Sequence, residues 1–133
     1  MKPLKFLFVF VFALTMSVSS CKKDESNAST PKDILTAKSW KLSSMKVNGI
    51  ETIEDCSKDD IMTFAANGTY STTVGAITCY DGETNTSGTW TLSNDGKTLT
   101  VDGDAYSAVI TESKVVVTIV VGTETMEMTV IPA

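Results

Sequence analysis

From Ser39 onward, apolar and polar side chains alternate with a period of two rather than 3.6, and turn residues recur every eight to twelve positions. That pattern predicts a chain of short β-strands. The first runs from about Ser39 to Val47, with Trp40 and Leu42 on one face and Met45 and Val47 in the opposite phase. The slip at Ser43-Ser44 predicts a bulge or sharp bend. Strands at Ile61 to Ala65 and Thr69 to Val74 follow, joined across Asn67-Gly68, a pair suited to the positive φ angles of tight hairpins. Their expected inward residues are Met62, Phe64, Tyr70, Thr72 and Val74.

A polar loop holds Cys79 and the stretch Glu83 to Ser87, and a fourth strand then carries Trp90 and Leu92. Asn94-Asp95-Gly96 turns it into a fifth, with Leu99 and Val101 facing in. Asp102-Gly103-Asp104 leads to a sixth carrying Tyr106, Ala108 and Ile110. The seventh, Val115 to Val121, is apolar on both faces and is expected to pack on both. Gly122 to Glu124 turns into the eighth, where Met126, Met128 and Val130 alternate with Glu127, Thr129 and Ile131.

Eight short strands joined mostly by tight turns form an antiparallel meander, and closing it into a barrel removes the edges that invite aggregation. The predicted class is all-β, an eight-stranded meander barrel. A sandwich would need longer crossing connections, and only Gly49 to Asp60 and Gly75 to Ser87 are long enough. An eight-stranded barrel is just wide enough to be filled by side chains or to hold one small ligand. That choice is the functional question.

Ahead of the barrel, Thr30-Pro31-Lys32-Asp33 predicts a short helical turn, with Thr30 at the N-cap, Pro31 at the first helical position and Asp33 near the positive end. Residues 22–30 have almost nothing apolar to bury and read as a flexible tether. The chain begins differently. Lys2 and Lys5 precede an apolar run from Phe6 to Val18, too short to span a bilayer that needs about 20 residues, so a cleaved export signal is the reading.

The junction Val18-Ser19-Ser20-Cys21 resembles the lipobox of bacterial lipoproteins, in which the cysteine is lipidated and becomes the first residue. The alternative is an ordinary secretory signal with a cysteine at its end. Each buried methylene of an acyl chain contributes about 0.8 kcal/mol, so two or more chains make a durable anchor. The domain plan is a signal peptide over residues 1–20, lipidated Cys21 with its tether over 21–30, and a barrel over 31–133. Lys22 is not the Asp that marks inner-membrane retention in many Gram-negative lipoproteins, which makes the outer membrane the default. Lys23-Asp24-Glu25 resembles the surface-export signal of Bacteroidetes lipoproteins, or is a plain solvated linker, and the periplasmic or surface face stays open.

Loss of the signal takes two of eleven lysines and none of the sixteen acids, moving the net charge from −5 to −7. The chain has no Arg and no His. Its scattered lysines form no basic stripe for phosphate, which excludes nucleic-acid binding. Without His the commonest general base and transition-metal ligand are missing, and no cofactor is expected. Glu51, Glu54, Asp55, Asp59 and Asp60 surround Cys56 without the spacing of a known calcium loop, and read as a solvated loop. A glycosidase-type carboxylate pair would need a pocket raising one pKa, and nothing in the sequence signals one, so no enzyme is expected. With Cys21 assigned to lipid, Cys56 and Cys79 are an even pair in an oxidising compartment and read as a disulfide. Two redox-active thiols are the alternative, without a Cys-x-x-Cys spacing.

Three stretches carry a family resemblance: Ser39-Trp40-Lys41-Leu42; Asp60 to Phe64 with Asn67-Gly68-Thr69-Tyr70; and Gly88-Thr89-Trp90-Thr91-Leu92 followed by Asp95 to Leu99. In order and spacing they resemble the lipocalin-like domains of bacterial lipoproteins, particularly of Bacteroidetes, over about residues 34–131. Cys56 and Cys79 sit where such domains often carry cysteines. Lys38 stands where lipocalins usually have the glycine of Gly-x-Trp. The Arg that packs on that Trp has no counterpart, and no C-terminal helix follows the eighth strand. The resemblance implies a barrel mouth that binds a small apolar molecule, with no common activity.

Trp40, Phe64, Tyr70, Trp90, Tyr106, Met126 and Met128 are the candidate lining residues, although alternating aromatics and methionines in a small barrel also serve as plain core. Two functional expectations follow. One is an envelope lipoprotein, held in the bilayer by acylated Cys21, that binds a small apolar or amphipathic molecule. The other is a non-catalytic interaction or scaffold module with a side-chain-filled barrel that meets an envelope protein partner.

Overall fold

The computed structural model describes residues 28–133; the expected signal peptide, the lipidation site Cys21 and most of the tether lie outside them. The described chain opens with α1 (Pro31–Thr36), started by the predicted cap. Asp33 N–H donates to Thr30 Oγ1 at 3.2 Å, and Thr30 N–H donates back to Asp33 Oδ2 at 3.0 Å, a reciprocal capping box with Pro31 at the first turn. The helix is short, and its value lies in Ile34 and Leu35, both buried.

The strands are β1 (Ser39–Val47), β2 (Ile50–Glu51), β3 (Ile61–Phe64), β4 (Thr69–Thr73), β5 (Thr86–Leu92), β6 (Thr98–Val101), β7 (Asp104–Ile110), β8 (Val115–Val121) and β9 (Glu124–Pro132). Every pairing is antiparallel. The order runs β1-β3-β4-β5-β6-β7-β8-β9, and β9 pairs back onto β1 from Trp40 opposite Pro132 to Val47 opposite Met126, closing an eight-stranded barrel. The remaining strand, β2, is a two-residue hairpin on the end of β1, turned through Asn48 and Gly49 at positive φ. Two residues have no period, so alternation could not reveal it.

The slip in β1 is a bulge, seen as a register shift between Leu42 and Ser44 against β9. The shift puts Met45 opposite Met128 and Val47 opposite Met126, so the inward face stays apolar across the change of phase. β8 departs from expectation. Val115 is buried and Val117 and Ile119 face inward, but on the other face Val116 is only half-buried and Val120 is 67% exposed. A run of β-branched residues favours the strand itself, and a barrel has only one inside.

The core gathers at one end. Trp40, Leu35 and Val115 are fully buried there, beside Phe64, Trp90, Leu99 and Ala108. Buried indoles need an acceptor. Trp40 Nε1 donates to Leu35 O of α1 at 2.9 Å, and Trp90 Nε1 donates to Ala65 O of the β3–β4 turn at 3.0 Å. The tight turns after β3, β5 and β7 lie at this sealed base with α1. The two long connections, residues 48–60 and 74–85, lie at the opposite end with the turns after β6 and β8.

Candidate functional site

Above the aromatic base the barrel holds a cavity of about 430 Å³. The barrel is therefore not filled by its side chains. Three adjacent strands build one wall, and each changes character with height. Alternation along β3 and the residue before it points Asp60, Met62 and Phe64 inward, from mouth to base. On β4 the sequence is Thr72 then Tyr70, and on β5 it is Thr86, Gly88 and Trp90. Each strand is polar at the mouth and aromatic below. The facing wall, from β6 to β9 and β1, is mostly apolar through Leu42, Leu99, Val101, Val117, Ile119 and Met128, with the phenol of Tyr106 on β7 its one polar side chain among the described residues.

Tyr70 is fixed on this wall by Asp102, a residue at φ 50° in the β6–β7 turn. Tyr70 Oη–H donates to Asp102 Oδ2 at 2.7 Å, and Thr89 N–H donates to Oδ1 at 2.8 Å. The Thr89 amide first, then the Tyr70 hydroxyl, hold the Asp102 carboxyl below its ordinary range. The same bond, helped by burial, raises the phenol of Tyr70, which stays a neutral donor. Gly88 makes room for this carboxylate: a Cβ there would stand 2.1 Å from Asp102 Oδ1. Read from sequence alone, Asp102 is only a turn residue, because the 32 residues between it and Tyr70 carry no local signal.

At the mouth a disulfide joins Cys56 to Cys79, with Cα atoms 5.2 Å apart, and so ties the two long connections together. Carboxylates continue the tie. Asp59 Oδ2 accepts from Ile77 N–H at 3.0 Å, and Asp60 Oδ1 accepts from Gly75 N–H at 2.9 Å. Part of the acidic cluster thus satisfies loop amides across the mouth rather than standing free in solvent. Glu54, Cys56 and Cys79 lie close enough to suggest a metal site, but both sulfurs are spent in the disulfide, which leaves no thiolate to ligate. Ile77 and Tyr80 on the connections, Ile50 of β2 and Val121 at the end of β8 are exposed around this same mouth.

The candidate lining residues divide by height. Phe64, Tyr70, Tyr106 and Met128 stand on the cavity wall. Trp40 and Trp90 do not: they form the floor beneath it, drawn down by the acceptors Leu35 O and Ala65 O. Met126 is also off the wall, toward the mouth between Val47 and Ile119. Leu42, Val117 and Ile119 line the cavity without having been singled out, since alternation marks the inward face but not the level along the axis.

Comparison with curated proteins returns no match to this chain. A family model for the lipocalin-like domain matches residues 36–119, more than half of the chain and all of the barrel from β1 into β8. Given a closed eight-stranded meander with a sealed base and a hollow upper half, the chain belongs to the lipocalin-like domain family.

Proposed function

We propose that this protein is an envelope lipoprotein, tethered through acylated Cys21, whose barrel takes up a small apolar or amphipathic molecule. The cavity carries the binding half of the proposal. Its volume of about 430 Å³ falls within the roughly 300–1,000 Å³ of small-molecule pockets, and its wall is mostly apolar with a few polar groups at one level. The anchoring half rests on Val18-Ser19-Ser20-Cys21 and the charged residues after it. The described chain joins the barrel through α1 at the sealed base, so a tether from Cys21 leaves the mouth facing away from its own attachment. About ten residues span at most roughly 35 Å, which keeps the barrel near the membrane, by proposal the outer one.

The test uses the chain from residue 21 onward with Cys21→Ser, free of detergent, titrated with the neutral probe N-phenyl-1-naphthylamine. Saturable binding, lost in a Val117→Trp variant that fills the cavity yet keeps its fold by circular dichroism, is the expected result. Equal binding by the filled variant would sink the cavity reading. For the anchor, cells fed a labelled fatty acid should label the wild type and not Cys21→Ser. A wild type without label would refute it.

A second reading, an interaction module of the envelope, is favoured by the exposed outer valines Val109 and Val120 on β7 and β8. Cross-linking in intact cells from these positions should then capture one specific protein, and recovery of monomer alone would count against it.

A further inference from the structure

The polar groups of the cavity are one carboxylate and several neutral hydroxyls. Among the described residues Asp60 is the only charged one on the wall, and one of its oxygens accepts from Gly75 N–H. Oδ2 has no hydrogen-bond partner among the described residues. Thr72 and Thr86, directly opposite each other on β4 and β5, stand at the same mouth level with their hydroxyls equally uncommitted. Ser57 is beside them. Among the described residues no lysine lines the cavity, and the chain has no Arg or His. The connections around the mouth, residues 48–60 and 74–85, carry seven acids against the single Lys58. A cleft lined mostly by one sign of charge concentrates ions of the other.

We infer that the cavity selects amphiphiles with a cationic head, the tail lying against the apolar wall of β6 to β9 and the head at Asp60, and that it rejects carboxylate heads. This rests on the binding reading proposed above and names its ligand class. An ammonium group supplies only donors, which is what a carboxylate oxygen and two free hydroxyls can receive. A fatty-acid carboxylate at the same level would meet Asp60 with like charge and no cation to answer it. A charge of either sign a few ångströms from a carboxylate near a protein surface changes affinity by about tenfold or more.

Three ligands with one tail and different heads separate these effects: decylammonium, decanol and decanoate, each below its micelle threshold. They displace N-phenyl-1-naphthylamine from the Cys21→Ser chain at neutral pH and low salt. The ammonium should bind at least about tenfold more tightly than decanoate, with decanol between them. Asp60→Asn should draw the two charged ligands together while leaving decanol unchanged. Asp59→Asn, one residue away and off the wall, serves as the control for loss of a mouth tie and should narrow the gap less. Decanoate binding as tightly as the ammonium, or a gap that Asp60→Asn does not move, would overturn the inference while decanol binding left the cavity reading standing. Failure of all three to bind would remove both.

Discussion

Replacing Trp40 by Phe tests whether the base of the barrel is structure rather than site. The indole is fully buried, and its Nε1–H is the partner of Leu35 O, on a residue that is itself fully buried. Phe keeps an aromatic ring but removes the donor, and a buried carbonyl left unpaired costs about 1–3 kcal/mol. The smaller ring leaves a void that adds about 1 kcal/mol. A total of roughly 2–4 kcal/mol is a large share of the 5–15 kcal/mol typical of a domain this size. At about 4–8 °C per kcal/mol, the melting temperature should fall on the order of 10–25 °C. Thermal unfolding followed by circular dichroism reads this directly. Because Trp40 lies beneath the cavity, probe affinity should stay within about threefold of wild type where both proteins are folded. A melting temperature within about 3 °C of wild type would refute the energetic reasoning. Intact stability with lost binding would return Trp40 to the wall.

Two further outcomes follow from the mouth and the loops. Cys56→Ser with Cys79→Ser reopens a loop with a sequence separation of 23, and in the chain-entropy account should cost about 3 kcal/mol; urea midpoints that coincide would count against it. The carboxyls of Asp33, Glu51, Asp55, Asp95 and Asp102 are all held below their ordinary range, chiefly by the Thr30 hydroxyl, the Ser44 hydroxyl, Lys58, the Ser93 hydroxyl and the Thr89 amide in turn. The unfolded chain therefore takes up protons first as pH falls. The stabilisation is present above about pH 4 and is lost as pH drops through the folded values below it. Urea midpoints at pH 7 and pH 3 should differ in that direction, with a smaller difference in Asp102→Asn; a midpoint independent of pH would show that these bonds contribute nothing.

The fold was legible wherever the chain had to do something unusual. Gly68 and Gly96 take positive φ at the expected hairpin turns, and Asp102 does so ahead of Gly103. The phase slip at Ser43-Ser44 corresponds to a register shift in β1. Alternation named the inward residues, because a period of two has only two faces. Height along the barrel axis was not legible, since it depends on how strands are staggered against one another. Trp40 and Phe64 lie on the same face as Tyr70, but pairing with Pro132 at the end of β9 and the bond to Leu35 O of α1 hold Trp40 at the base. The bond from Tyr70 to Asp102 and the ties from Asp59 and Asp60 to the β4–β5 loop are likewise products of register and loop closure.

Height also explains why similar residues have different tasks here. At the base, tight turns and α1 supply fixed carbonyl acceptors, so large aromatic side chains are held there and the barrel is stapled shut. At the mouth two of the connections are long, spanning residues 48–60 and 74–85. The inward positions of β3, β4 and β5 end instead in Asp60, Thr72 and Thr86. A loop can vary in length and composition without disturbing a core it does not touch, whereas a base turn cannot. Stability is therefore concentrated at the end where the chain enters, and the proposed recognition falls to the other, where a disulfide joins the two long segments beside the wall.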